Sequence, residues 1–302
     1  MKKIVVRMLG GLGNQLFIYA FAEFLKEKYK ADEIVMDLRE YDHYNIRKFE
    51  LDDFILSKNV KIMKKEERKV LIDVSRNIFH ILLGINRRIF KTDFDYLFRF
   101  LSKKGFFYTE RNVTDLPKIP MKNIYMYGYF QSASYIKLIN QELKKYIKLK
   151  NESIHFIEYK NTILNSKHSI AVSIRCGKDY KQLGLMICGQ EYYIQGIDLL
   201  KKNNTTLFVF TDDYETSKQI LGELNNINIK CKYIINSQPS EQLILMSLCD
   251  DFVIANSTFS WWGAFLAENP QRKIVMPEFW EKNLETKNTG LLLDNSFIIK
   301  NL

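Results

Sequence analysis

LGGLGNQLF, residues 9–17, ends the apolar run KIVVRML of residues 3–9 and leads into NQLFIYAFAEFLKEKY, residues 14–29. The apolar run is long enough for one buried strand. Beyond the glycines, Leu16, Tyr19, Ala20, Phe24 and Leu25 recur at helical spacing, with Lys and Glu on the opposite face. The unit therefore reads strand, glycine turn, helix. Such a turn aims backbone N–H groups and a helix dipole at one point, which suits a phosphate or another anion.

Working outward, EIVMD at 33–37 is a second strand, and the first half then becomes less regular. KIMKKEERK and INRRIFK, within residues 61–105, mix basic and apolar residues and are expected to form amphipathic helices, an insertion over a cleft or against a membrane surface. NIYMYGYFQSASYI (123–136) reads as a strand and a turn, followed by helix, break and helix through residue 166. A domain boundary near 150 divides the chain into 1–150 and 151–302.

The second half alternates strictly. SIAVSIR (169–175), TTLFVFTDD (205–213), CKYII (231–235), DFVIAN (251–256) and KIVMP (273–277) are β-rich runs. Helical patterns fill 190–201, 214–224, 239–249 and 259–268. Alternation implies right-handed βαβ crossovers and a parallel sheet, with ligands beyond the carboxyl ends of its strands. Those ends carry Arg175, then Asp212 and Asp213, then Asn256, Ser257, Thr258 and Ser260. A guanidinium, carboxylates and hydroxyls on one edge point to a polar, phosphate-bearing ligand.

Composition supports a folded protein of one large or two ordinary domains: 302 residues, 46% hydrophobic, with 21 Phe, 17 Tyr and only 5 Pro. Lys and Arg number 45 against 35 Asp and Glu, a balance that attracts phosphates, nucleic acid or an anionic leaflet. Cys176, Cys188, Cys231 and Cys249 form no CxxC pair, and reduced thiols in a cytosolic protein are the simplest account. His43, His80, His155 and His168 stand away from the strand ends and are read as structural or surface residues. No run approaches the ~18 apolar residues of a spanning helix, so any membrane contact is expected to be peripheral.

Each candidate has a defined chemistry. Arg175, followed by Lys178 and Asp179, can grip a diphosphate and offset charge on a departing phosphate. The Ser and Thr hydroxyls of NSTFS can cap the next helix and, with its first N–H groups, meet phosphate oxygens. Trp261, Trp262 and Phe265 are read as packing. The pair Asp212 and Asp213 is a weak metal candidate, because neighbouring strand side chains face opposite ways and Asp213 is placed to cap the YETSKQIL helix.

Together these motifs resemble bacterial α-1,2-fucosyltransferases of glycosyltransferase family 11. GGLGNQLFIYA, RKFELDDF (47–54), YGYFQS (127–132), SIRCGKDY (173–180), LFVFTDD (207–213) and IANSTFSWWGAFL (254–266) follow that family's order. The resemblance implies a GT-B-like fold, two Rossmann-like α/β domains with parallel sheets facing a cleft. It also implies GDP-fucose as donor and metal-independent transfer of L-fucose, with inversion, to the 2-hydroxyl of a galactoside. Arg175 matches the first arginine of the family's His-x-Arg-Arg motif. Ser173 and Cys176 stand where the family often has His and the second Arg, one residue is added, and Lys178 is read as replacing the lost charge.

By the same resemblance, Gly11, Gly13, Asn14 and Gln15 lie opposite the donor diphosphate, and Glu241 receives the guanine N–H groups. Asp212, Asn256, Ser257, Thr258 and Ser260 complete the donor site, and Asp179 receives the acceptor proton or orients Arg175. The implied partners are GDP-fucose and a galactose-containing glycan: an O-antigen repeat on a lipid carrier, a lipopolysaccharide core or a free oligosaccharide. A cytoplasmic protein peripheral to the inner membrane, with no cofactor, metal or nucleic acid, is expected. Two rivals remain for comparison. For a nicotinamide-dependent (NAD) oxidoreductase, Asp37, 24 residues after Gly13, mimics the dinucleotide fingerprint, but the last glycine of GxGxxG would fall at position 16, which is Leu16. A basic RNA-binding protein would need a recognition signature that the chain does not show.

Overall fold

The structure, a computed structural model, describes residues 1–43, 47–68, 77, 78, 80–82, 84, 85, 100–109, 116, 123–222, 229–281 and 290–301. The chain forms two compact units, Met1–Ile147 and Lys148–Leu302.

In the first unit, β1 (Lys3–Arg7), α1 (Leu12–Tyr29) and β2 (Glu33–Asp37) realise the opening strand, turn and helix. β3 (Val60–Ile62), β4 (Phe106–Thr109) and β5 (Asn123–Gly128) complete a sheet of order β3-β2-β1-β5-β4, parallel throughout. α2 (Ala133–Leu138) and α3 (Asn140–Tyr146) follow. The apolar face of α1, including Leu16, Phe17, Tyr19, Ala20 and Phe21, is buried. Phe21 stacks on Phe130 at 4.7 Å.

The structure corrects the expectation for KIMKKEERK. Residues 60–62 pair with β2, Ile34 with Val60 and Met36 with Ile62, and Lys65–Glu67 form a single 3-10 turn. A lysine-bearing segment is compatible with an edge strand, where charge discourages further pairing. INRRIFK lies almost wholly outside the described residues.

The second unit contains α4 (Ile154–Leu164), β6 (His168–Ile174), α5 (Lys178–Gln182), α6 (Gln190–Leu200), β7 (Thr205–Thr211) and α7 (Tyr214–Ile220). It continues with β8 (Lys230–Tyr233), α8 (Pro239–Ser247), β9 (Asp251–Val253), α9 (Thr258–Leu266), β10 (Ile274–Pro277) and β11 (Ser296–Ile299). Its sheet runs β11-β10-β9-β6-β7-β8, again parallel throughout. All seven residues of β6 are buried, as a central strand covered on both faces requires. His168, at its amino end, is held between Thr205 Oγ1 (2.8 Å) and Asp251 Oδ2 (2.9 Å).

Trp261 and Trp262 are fully buried, and Trp261 stacks on Phe265 at 5.0 Å. All four cysteines are free thiols, and burial pushes the Cys188 thiol up to about 12. Among the described residues, no helix is long and apolar enough to cross a membrane.

Candidate active site

β6 and β7 end side by side, Ile174 paired with Thr211, so Arg175 and Asp212 leave the sheet together. Arg175 Nη1 meets Asp212 Oδ2 at 2.6 Å, and Nη2 donates to Asp179 Oδ2 at 2.9 Å. The other Asp212 oxygen, Oδ1, accepts the Cys176 and Gly177 N–H groups at 2.8 and 3.0 Å. Asp212 thus fixes the chain direction after β6 and the guanidinium at once. A Cβ at 177 would lie 2.4 Å from Asp212 Oδ2, so any larger residue there displaces this carboxylate. The Arg175 side chain keeps 20% exposure, and Lys178 is exposed on α5. This edge therefore presents cationic nitrogen to solvent on a carboxylate-braced base.

Tyr180 joins the edge to the next strand end. Its ring lies under the guanidinium, 4.8 Å from Cζ, and its hydroxyl donates to the Asn256 carbonyl at 2.9 Å. Burial raises the phenol's pKa, so it stays a neutral donor. The Ser257 hydroxyl interacts with the same phenol oxygen.

Ser257 is the N-cap residue of α9, and the first helical hydrogen bond, Trp261 N–H to Ser257 O, closes at 3.0 Å. The N–H groups of Thr258, Phe259 and Ser260 precede it and form the helix's anion-attracting end. The hydroxyls behave differently from the expectation. Ser260 is fully buried and donates back to Ser257 O (3.0 Å) and Ala255 O (3.2 Å). Asn256 Nδ2 donates to Leu185 O and Trp280 O at 2.9 and 3.0 Å, pinning two loops rather than facing outward. Ser257 and the partly exposed Thr258 remain beside the edge.

Two further residues are engaged elsewhere. Glu241 is buried at the third position of α8, where Oε1 accepts Ser153 N–H (2.8 Å) and Oε2 accepts Gln238 N–H (3.4 Å). Among the described residues, nothing joins it to the Arg175 cluster. Asp213 caps α7 through Thr216 N–H (3.0 Å) and also binds the Thr216 hydroxyl and Lys181. The Thr216 bonds, led by the backbone one, hold its carboxyl at about 2.

In the first unit, Gly10 adopts φ +68, the left-handed region, with Asn14 Nδ2 only 2.8 Å from where a Cβ would stand. α1 begins at Leu12, earlier than periodicity suggested, which puts Gly13 in its first turn. Leu12 N–H is met by Glu50 Oε2 at 3.1 Å. For the N–H groups of Gly13 and Asn14, the described residues provide no partner. Gly11 lies against Arg47, whose Cδ is 3.4 Å from a built Cβ. Gln15 is fully buried and makes four bonds: Nε2 to Lys48 O (2.7 Å) and Gly10 O (3.0 Å), and Oε1 from Glu50 N–H (2.9 Å) and Leu51 N–H (3.3 Å). Asn14 Oδ1 accepts Gln131 Nε2 at 3.0 Å, presented by Phe130 at φ +50.

Asp37 accepts from Arg7 Nε (3.2 Å) and forms an ion pair with Arg39 Nε (2.8 Å), so the carboxylate that mimicked a ribose ligand is an internal ion-pair partner. Sequence reading did not single out Tyr180 or Glu50. Tyr180 adjoins Asp179 in SIRCGKDY and Glu50 lies in RKFELDDF, so membership of those segments was their available signal.

The glycosyl transferase family 11 model matches residues 3–295. The chain belongs to this family. It is 28% identical over 289 residues to an Escherichia coli alpha-1,2-colitosyltransferase, covering 93% of each chain. It is also 28% identical over 302 residues to the Escherichia coli O-antigen biosynthesis glycosyltransferase WbnK, covering 90% of this chain and 92% of that one. Among solved structures, fucosyltransferase NodZ from Bradyrhizobium matches with a TM-score of 0.52 at 12% identity, over 95% of this chain and 97% of that one. That likeness is one of fold: a GT-B architecture of two parallel-sheet α/β units. The family 11 chain is a glycosyltransferase.

Proposed function

We propose that the β6–β7–α9 edge binds the diphosphate of a GDP-sugar, and that the chain transfers L-fucose from GDP-β-L-fucose to the 2-hydroxyl of a galactoside with inversion. The observation that carries this reading is Arg175, braced by Asp179 and Asp212 and linked through Tyr180 to the α9 turn, in a family 11 chain. NodZ, which shares the fold, has been solved after soaking with GDP-fucose.

In this mechanism the acceptor oxygen attacks the anomeric carbon as the C–O bond to GDP breaks, and the hydroxyl proton passes to solvent or a carboxylate. Negative charge grows on the leaving phosphate. Arg175, Lys178 and the first N–H groups of α9 offset it, so no metal is required; a fixed donor of this kind is worth ~3 kcal/mol. Asp179, bonded to the guanidinium, orients Arg175. Gly13 and Asn14 offer first-turn N–H groups of α1 to the substrates, with Gly11 allowing close approach and Gln15 holding their loop in shape. Asn256, pinned to Leu185 O and Trp280 O, stiffens the donor site.

A colitosyl donor is the second reading. A relative of comparable similarity is named as a colitosyltransferase, and Ser173 and Cys176 depart from the family motif beside Arg175. The acceptor is proposed to be a surface-glycan galactoside, reached by a cytoplasmic enzyme peripheral to the inner membrane.

GDP release from GDP-fucose in EDTA, with and without lactose or Gal-β-1,3-GalNAc, tests the proposal. Acceptor-dependent release supports metal-independent fucosyl transfer. No release, with turnover of GDP-colitose instead, establishes the second reading, and no GDP binding at all refutes both.

A further inference from the structure

Tyr180 touches three parts of the proposed donor site at once. Its ring carries the Arg175 guanidinium at 4.8 Å, and its hydroxyl donates to Asn256 O at 2.9 Å while interacting with Ser257. Arg175 follows β6, whereas Asn256 and Ser257 lead from β9 into α9. These strands are neighbours in the sheet, and their pairing ends at Val172 with Val253. Beyond that point no strand bond joins the two segments. Tyr180 supplies the cross-link where the sheet stops.

The supports around it divide the work. Asp212 holds the guanidinium from the β7 side at 2.6 Å, and Asp179 holds its other nitrogen from α5 at 2.9 Å. Both carboxylates fix Arg175 relative to β6 and β7. Asn256 is itself immobilised by its bonds to Leu185 O and Trp280 O, so the carbonyl that Tyr180 grips is a fixed point.

We propose that Tyr180 is a positioning residue of the transfer reaction: it sets the separation between the Arg175 guanidinium and the amino end of α9. The inference rests on the reading that this edge holds the donor diphosphate. Two cationic elements must reach the same departing phosphate, and a displacement of about 1 Å in such a pair can cost on the order of a hundredfold in rate. The cost falls on turnover because charge on the phosphate is greatest in the transition state. The phenol's raised pKa keeps its proton on oxygen, so the link to Asn256 O persists through the neutral and mildly alkaline range.

The test compares wild type, Tyr180→Phe, Arg175→Lys and the double variant. Donor kcat and KM are measured alongside GDP affinity by calorimetry and the melting temperature. Tyr180→Phe keeps the ring and removes the hydroxyl. The expected result is about a tenfold fall in kcat, less than about a threefold change in donor KM, and a melting temperature close to wild type. In the Arg175→Lys background the same change should lower kcat by less than about twofold, because a misplaced shorter cation has already lost the benefit.

Additive losses in the double variant overturn the positioning role, as does a Tyr180→Phe enzyme with wild-type kcat. A fall in melting temperature with unchanged kcat per folded molecule assigns Tyr180 to stability alone and also overturns it. Tyr180→Leu, which removes ring and hydroxyl, checks the contribution of the stacked ring and should lose more turnover than Tyr180→Phe. Failure of wild type to bind GDP would remove the underlying donor-site reading, an outcome separate from any behaviour of the Tyr180 variants.

Discussion

The glycine turn of the first unit and the strand-end edge of the second are the two most motif-dense segments of the chain, and sequence reasoning assigned both to an anion. They are built in opposite ways. In the turn, polar side chains face inward: Gln15 binds Gly10 O, Lys48 O and the N–H groups of Glu50 and Leu51, and Glu50 meets Leu12 N–H. At the edge, carboxylates brace a guanidinium whose side chain stays 20% exposed. Residues of one motif thus divide into those that shape a backbone and those that present charge. Substitution should separate them, stability failing in the turn and turnover failing at the edge.

The sharpest break of this comparison is Arg175→Ala. Loss of the principal cation facing the leaving diphosphate should lower kcat by roughly 10²–10³-fold or more, with the melting temperature nearly unchanged. GDP release against acceptor, with thermal unfolding in parallel, reads both quantities. Near-normal turnover would remove Arg175 from the mechanism and leave the edge without its central group.

Gln15→Ala makes the converse case. Four backbone groups of a partly buried turn lose the Gln15 amide, with Gly10 O keeping the Tyr41 hydroxyl, which should destabilise the fold by roughly 2–4 kcal/mol. Turnover per folded molecule, measured well below the transition, should stay within about threefold of wild type. A variant with wild-type unfolding and abolished turnover would instead place the Gln15 amide on a substrate.

Gly177→Ala is expected to fall between the two. The new methyl would stand 2.4 Å from Asp212 Oδ2 and displace the carboxylate that holds both Arg175 and the Cys176 and Gly177 N–H groups. A loss of about tenfold in kcat, with a modest fall in stability, is the expected outcome. Pairing it with Asp212→Asn should show little additional loss, since both act through the same carboxylate.

Much of this arrangement was legible in the sequence because parallel strands write themselves as short apolar runs. β6, β7, β9 and β10 are such runs, and the residues that end or follow β6 and β7 include Arg175 and Asp212. What escaped is short. β3 and β11 are edge strands of three and four residues, too brief to show a period, and VKI among lysines has the composition of a surface helix as much as of an edge. The direction of a hydroxyl escaped too. Ser257 and Ser260 belong to one motif, but the helix geometry turns Ser260 back onto Ala255 O and Ser257 O. Glu241 likewise occupies a motif-like position, yet its oxygens close a capping box with Gln238 N–H and reach Ser153 N–H.

The smallest expected effect concerns the acid in the turn. Burial raises the Glu50 carboxyl above the ordinary glutamate range, and the Leu12 N–H bond opposes that shift only in part. An acid whose folded-state pKa is raised holds its proton longer in the folded protein than in the unfolded chain. Stability on this account is greatest below the unfolded glutamate value and declines as pH rises from there through the folded value. Glu50→Gln keeps an oxygen for Leu12 N–H and removes the ionisation. Its melting temperature should therefore lie nearest that of wild type in mild acid and exceed it at neutral pH by roughly 1–3 °C. Edge substitutions carry no such signature, because Glu50 belongs to the scaffold of α1. If Glu50→Gln melts lower than wild type at neutral pH, the charged cap on the helix amino end outweighs the burial of the carboxylate, and the turn is held together by electrostatics rather than despite them.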